Sequence, residues 1–415
     1  MYRIWYSTES FADYIINHTE LLEFAPTKRY MYESDAAKPR NFHSMPDHIR
    51  KILYLDAPDI IVERNNEPIF SIEISTEAGT GHNAFQRFSR IAASVENGVP
   101  AFYVYPEGVI ITRNDTNPKW DKINPLIFKA LEEVMDIYDI PALLYYYPSD
   151  IVDYPENVAD APHLNSKGLN NDLDFIAYSG CPNHEDTQMQ QLFIAINEII
   201  RTVENQGIID GRRNLLRNHV FREQREFMQH EYFLKANGRA ANDMSPLSAV
   251  TILPTNYLLN YLHHFENNEY LIGNLLRQRE TTAFYQVNAR FRGDPYPGAL
   301  AAIDYLECRN GKTYEDRRSN LVLVFGKVLI DHEHQTIQIV DEHGSTILGF
   351  SDSVQNAEIH NLLTRRYADL RNFEIPRYFM QVRYGSTYSK AKHIRVYSYF
   401  SDAILFPDGA LWRDG

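Results

Sequence analysis

The chain is poor in cysteine and short of positive charge. Its 415 residues include two cysteines, Cys181 and Cys308, far apart and without a CxxC partner, which argues against a zinc site and a disulfide framework. No GxxxxGK[ST] loop and no GxGxxG occur, so nothing points to nucleotide hydrolysis or a dinucleotide cofactor. A G-x-S-x-G nucleophile elbow is missing too. No apolar run of about 18 residues appears, and Glu9, Asp13, His18 and Glu20 interrupt the opening segment where a leader would be apolar, so the expected location is the cytoplasm. The net charge of −14 is awkward for a nucleic-acid partner, because phosphate contacts supply much of such affinity. Only the distribution around a site decides that question, and average acidity can suppress non-specific binding.

With 44% apolar and 23% charged residues the composition is that of a globular protein, and the length predicts two or three domains. Residues 148–190, with Pro148, Pro155, Pro162 and Pro182 among many Asp and Asn, read as a linker or long loop. The expected division is 1–147, the linker 148–190, and 191–415.

The most informative stretch runs from Ala57 to Ser75. Ile60–Val62 and Ile69–Ile74 are β-branched runs, and Asn65-Asn66 between them supplies turn chemistry, which predicts a hairpin. By the period of two, Ser71, Glu73 and Ser75 share one face of the second strand while Phe70, Ile72 and Ile74 share the other. The apolar face is the expected core. The remaining carboxylate and hydroxyls would then face a cleft beside Asp59, an oxygen-rich set that suits Mg²⁺ or Mn²⁺ rather than zinc. The plainer alternative makes Asp59 a turn cap and Glu73 a solvated strand residue.

Pro58-Asp59, then Glu73-Ile74-Ser75, resembles the motif of the PD-(D/E)xK nuclease superfamily, which includes many restriction endonucleases, with Ser75 in the lysine position. Downstream, Gly81 to about Asn97 predicts a helix ended by Gly98-Val99-Pro100, and Ala101–Tyr105 a strand. The resemblance covers roughly residues 8–115 and implies an α/β fold: a mixed-sheet, restriction-endonuclease-like core in αβββαβ order, with an additional α+β recognition region. It also implies a Mg²⁺- or Mn²⁺-dependent endonuclease acting on double-stranded DNA, with Asp59, Glu73 and the Ile74 carbonyl as metal ligands. Ser75, or Gln86 from the helix, would orient the attacking water in place of the lysine, and Arg87 would contact DNA. A palindromic target would call for a homodimer. A nuclease fold that has lost activity and serves as a DNA-binding module, or an RNA-directed nuclease, are the alternatives.

Elsewhere, Ser7–Ile16 reads as a capped amphipathic helix, and Glu20 or Glu23 after it could add a carboxylate to the site. Pro125–Asp136 and Leu192–Val203 also read as helices. Gly211–Lys235 reads as one long helix whose Arg212, Arg213, Arg217, Arg222 and Arg225 could track a phosphate backbone, unless Glu223, Glu226 and Glu231 balance them. Asp294, Glu307 and Arg309 mimic a second acid–acid–base spacing, although Ala299–Leu306 looks helical. Residues 321–350 suggest a small β-rich unit. Between Arg365 and Arg395 the basic residues, Arg377, Arg383, Lys390, Lys392 and Arg395 among them, alternate with tyrosines and phenylalanines, the composition of a nucleic-acid surface.

Overall fold

The computed structural model describes residues 1–31, 45–76, 81–111, 119–149, 178–265, 274–287, 295–313, 315–341, 392–407 and 409–412. The chain divides into two compact units, Met1–Arg239 and Ala240–Gly415. No described helix is long and apolar enough to cross a membrane.

The first unit contains, in order, β1 (Tyr2–Tyr6), α1 (Glu9–Asn17), β2 (Thr27–Tyr30), α2 (Asp47–Leu53), β3 (Ile60–Arg64), β4 (Glu67–Ile74), α3 (Phe88–Glu96), β5 (Ala101–Pro106), β6 (Gly108–Ile111), β7 (Lys119–Lys122), α4 (Leu126–Tyr138), β8 (Ala142–Tyr147), α5 (Thr187–Gln206), α6 (Ile208–Gly211) and α7 (His219–Ala236). A six-stranded mixed sheet runs β2-β1-β3-β4-β5-β8. β3 is antiparallel to β1 and to β4, whereas β4–β5 and β5–β8 are parallel. The order opens on a strand, where a helix was expected. Tyr2 and Ile4 are buried, and β1 is inserted between β2 and β3, partners remote in sequence that no local pattern announces.

The hairpin forms as expected. Asn65 and Asn66 both take positive φ, 54° and 66°, the conformation that asparagine tolerates and that a tight two-residue hairpin turn requires. α3 buries Phe88, Ile91, Ala92 and Val95, and Gly98 at φ 72° lets the chain turn from it into β5. The 81–97 segment is not a single helix, since a short 3-10 turn over His82–Phe85 precedes α3.

The expected boundary at 148–190 is not where the units separate. Residues 150–177 of that stretch lie outside the described residues, but α5 and α7 both belong to the first unit. α5 is capped by Asp186, whose carboxylate accepts from the Gln188 and Met189 N–H groups, and it buries Leu192, Phe193, Ile196, Ile199, Ile200 and Val203. Arg64 of β3 donates to the Val203 carbonyl at 3.2 Å and pairs with Glu204 at 2.7 Å. An apolar stripe of that size must be buried against something, and this sheet supplies the surface. α7 lies along β8, where Gln224 Nε2 donates to the Leu144 carbonyl at 2.7 Å and the Leu144 N–H reaches Met228 Sδ at 3.3 Å.

The single long arginine-rich helix is not formed either. Asn214 sits at φ 59° between α6 and a 3-10 turn, and Asn218 then caps a new helix by accepting from Val220.

The second unit contains β9 (Val250–Pro254), α8 (Thr255–Phe265), α9 (Asn274–Gln278), β10 (Thr281–Val287), α10 (Pro295–Ile303), β11 (Ser319–Phe325), β12 (Lys327–Asp331), β13 (Thr336–Val340), α11 (Lys392–Phe400), β14 (Ala403–Phe406) and β15 (Gly409–Trp412). Its five-stranded sheet runs β15-β14-β11-β10-β9, with β10, β11 and β14 mutually parallel and the outer strands antiparallel. β12 and β13 form a separate hairpin. Residues 342–350, the end of the stretch expected to be β-rich, lie outside the described residues.

A buried ionic network sits where the parallel strands begin. Asp304 pairs with Arg309 and Arg317, and Asp402 accepts from Arg279 at 2.9 Å and from Arg317 at 2.8 Å. Asn320 Nδ2 donates to Thr282 and to the Leu276 carbonyl. Burial pushes the Asp304 carboxyl up, but Arg317 and Arg309 outweigh it and hold it below the ordinary value. Both cysteines are buried free thiols.

Candidate active site

Asp59 stands just before β3 and Glu73 near the end of β4, and the antiparallel pairing of those strands brings them together. The Asp59 N–H donates to Glu73 Oε2 at 3.2 Å. Asp59 is oriented from both sides: its Oδ1 accepts the Ser7 hydroxyl at 2.7 Å and its Oδ2 the Ile74 N–H at 3.0 Å. Ser7 therefore does not cap α1; the N-cap position is Thr8, which makes no side-chain capping bond.

The face of β4 that carries Glu73 is not an open cleft. Ser71, Glu73 and Ser75 are all buried, Glu73 completely, because α3 packs over this side of β4 and β5. Ser71 and Ser94 of α3 share a 2.8 Å hydroxyl bond. A buried carboxylate needs compensation, and α3 provides it. Arg90 Nη1 donates to Glu73 Oε1 at 2.7 Å, while its Nε donates to Asp56 Oδ2 at 2.8 Å. Arg87 Nε lies 3.3 Å from the same Glu73 oxygen. Burial pushes the Glu73 carboxyl well up and the neighbouring Asp59 adds to that, while Arg90 and Arg87 oppose it. Arg90 is held protonated by Asp56, Glu73 and Asp59 against the cost of its own burial.

Ser75 is braced by tyrosines. Its carbonyl accepts the Tyr147 hydroxyl at 2.8 Å, and its side chain shares a hydrogen bond with Tyr103. Tyr103 pairs in register with Glu73, and burial together with that carboxylate drives the phenol well above its usual range. Gln86 is half-buried at the end of the 3-10 turn, with its N–H on the Asn83 carbonyl. Ile74 contributes its N–H to Asp59. Asp56, Ser7 and Tyr103 were not among the site residues read from sequence. Asp56, two residues before the Pro58-Asp59 pair, is the one that proximity alone could have suggested.

Among the described residues, no group of three His, Cys, Asp or Glu side chains forms a ready-made metal site. The donor chemistry nevertheless fits one hard cation. Asp59 is partly exposed, and a carboxylate offers roughly four lone-pair positions, of which Asp59 uses two. Among the described residues, Glu73 Oε2 accepts the 3.2 Å bond from the Asp59 N–H and no other. All remaining donors are oxygen, and magnesium commonly takes one or two carboxylates, keeping water and substrate oxygens for the rest.

The other readings fare differently. Glu20 lies on a 3-10 turn and pairs with Arg201, and Glu23 is exposed; neither joins the pair. Arg212 Nη1 is turned inward to the Pro68 carbonyl, Arg213 pairs with Asp210, and Arg225 pairs with Glu132 and Asp136 on α4. Arg213 and Arg217 are both exposed. The second acid–acid–base set is not assembled from what is described: Asp294 lies outside the described residues, and Arg309 is drawn to Asp304 instead. Arg377, Arg383 and Lys390 lie outside the described residues, as do the side chains of Lys392 and Arg395 at the start of α11. In comparison with known proteins, the chain matches no family model, no curated protein and no solved structure.

Proposed function

We propose that the first unit is a metal-dependent nuclease acting on double-stranded DNA, with Asp59 and Glu73 as the acids that hold Mg²⁺ or Mn²⁺. The observation that carries this reading is the direct contact between the Asp59 backbone, just before β3, and the Glu73 carboxylate of β4, beneath Arg90 of α3 and Arg87 at that helix's N-cap. An ion bound there would lower the pKa of a water and offset charge on the scissile phosphate. The chain's own groups then have separate tasks. Ser7 and the Ile74 N–H orient Asp59, Arg90 holds Glu73, and Gln86 is the side chain proposed to position the water, with Ser75 setting the end of β4.

A second reading has its own support: Glu73 is fully buried and clamped by guanidiniums, which suits a nuclease fold that binds DNA without cutting it. Incubation of purified protein with plasmid DNA and Mg²⁺ or Mn²⁺, beside Asp59→Ala and Glu73→Ala, tests both readings. Cutting by the wild type alone supports the first. Binding without cutting favours the second, cutting of RNA but not DNA changes the substrate class, and cutting retained in both variants overturns the assigned pair.

A further inference from the structure

The proposed site draws Ser75 and Gln86 from different elements: Ser75 directly follows β4, and Gln86 ends the 3-10 turn over His82–Phe85. One phenol reaches both elements. Tyr103 of β5 pairs in register with Glu73 and is completely buried. Its hydroxyl donates to the Ala84 carbonyl, inside that turn, at 3.4 Å, and it shares a hydrogen bond with the Ser75 side chain.

A carbonyl can only accept, so the single proton of the phenol is directed at Ala84, and the Ser75 hydroxyl is the donor in the bond the two share. With its one proton committed to Tyr103, the Ser75 hydroxyl can only accept from any other group that meets it. The main chain of Ser75 is fixed as well, its N–H on the Val104 carbonyl at 2.9 Å and its carbonyl under the Tyr147 hydroxyl at 2.8 Å. The Ala84 contact is longer than an ordinary O–H···O bond, so the turn is the looser of the two attachments. A phenylalanine would fill the space of the ring, and what the hydroxyl adds is the link between β4 and the turn. Tyr145 of β8 gives the contrast: it is also fully buried, yet its hydroxyl has no hydrogen-bond partner among the described residues.

We propose, resting on the nuclease reading above, that Tyr103 is a positioning residue: it ties the end of β4 to the turn that carries Gln86, and so holds Ser75 and Gln86 in fixed relation to Glu73.

The test uses the full chain as Tyr103→Phe, Ser75→Ala and the double variant, with Tyr145→Phe as the comparison. Metal-free hydrogen exchange is followed over residues 82–90, beside duplex binding in EDTA and steady-state cleavage with Mn²⁺. Tyr103→Phe should speed exchange in the turn about fivefold and lower kcat on the order of tenfold, with KM and duplex affinity unchanged. The double variant should lose little more than either single one, because both act through one bond. Tyr145→Phe should behave as the wild type does. Should Tyr103→Phe fail to fold, Ser75→Ala carries the test through the same exchange readout, since the freed phenol passes the change on to the turn. Unchanged exchange over 82–90 in Tyr103→Phe overturns the link, whether or not the protein cuts DNA. Wild-type kcat in that variant, an equal loss of duplex affinity, or the same loss in Tyr145→Phe overturns the positioning role. A wild type that cuts no DNA overturns the nuclease reading and the positioning role with it, while the exchange comparison still decides the link.

Discussion

Ser7 is bonded to Asp59 at two points: its N–H donates to the Asp59 carbonyl at 2.9 Å and its hydroxyl to the Asp59 carboxylate at 2.7 Å. The end of β1 thus holds the residue that opens β3. Ser7→Ala removes the second bond and leaves the first. Hydrogen bonds to charged groups contribute roughly 1.5–3 kcal/mol, and partial exposure of Asp59 places this one at the lower end. The expected result is a folded protein with a slightly lower thermal midpoint and a larger loss in any metal-dependent cutting than in DNA binding. Calorimetry beside a cleavage assay would measure both; equal losses in binding and cutting would sink the orienting role.

The network around Asp304 predicts a response to acid. Its carboxyl is held below the ordinary aspartate value of 3.8, so the folded state prefers the ionised form. That contribution is present at neutral pH and is lost as the pH falls below about 4, through the lowered folded value. Asp304→Asn should cost about 3–5 kcal/mol at neutral pH, because it leaves Arg309 and Arg317 buried beside a neutral group. It should also flatten the acid limb of the unfolding profile. An unfolding midpoint that keeps the wild-type acid dependence would refute the assignment.

Burial pushes the Cys308 thiol well above its usual range, and Cys181 is buried as well. A thiolate-specific reagent should therefore label the native chain slowly and label both cysteines once it is unfolded. Fast labelling of Cys308 under native conditions would contradict the packing around α10.

Arg225, paired across to α4, should matter for stability and not for DNA. Its alanine variant should lower the thermal midpoint while leaving duplex affinity and salt dependence as in the wild type, whereas an effect on the salt slope would put Arg225 itself in contact with a phosphate backbone.

How much of this could be read from the sequence depended on distance along the chain. The hairpin was legible because Asn65-Asn66 and the flanking β-branched runs act locally, and Asp59 and Glu73 flank that one turn. Arg90 was legible as a helix residue but not as the partner of Asp56 and Glu73, since only the packing of α3 over β4 sets that contact. Period-two alternation placed Glu73 on the correct face but could not say that a helix covers it. The boundary failed for a related reason: α5 shows its apolar stripe in sequence, yet nothing local says which sheet receives it. β1 is five residues long and owes its identity to two distant partners.

At the outer edge of the six-stranded sheet, both backbone polar groups of Leu144 are already taken by side chains of α7. An edge strand is a template for another chain only while its N–H and C=O groups remain available. For a second copy to pair there, Gln224 and Met228 must first be withdrawn, and the bonds they make would be lost before any new ladder formed. Edge-to-edge pairing of two copies across β8 would therefore have to displace α7 from Leu144 first.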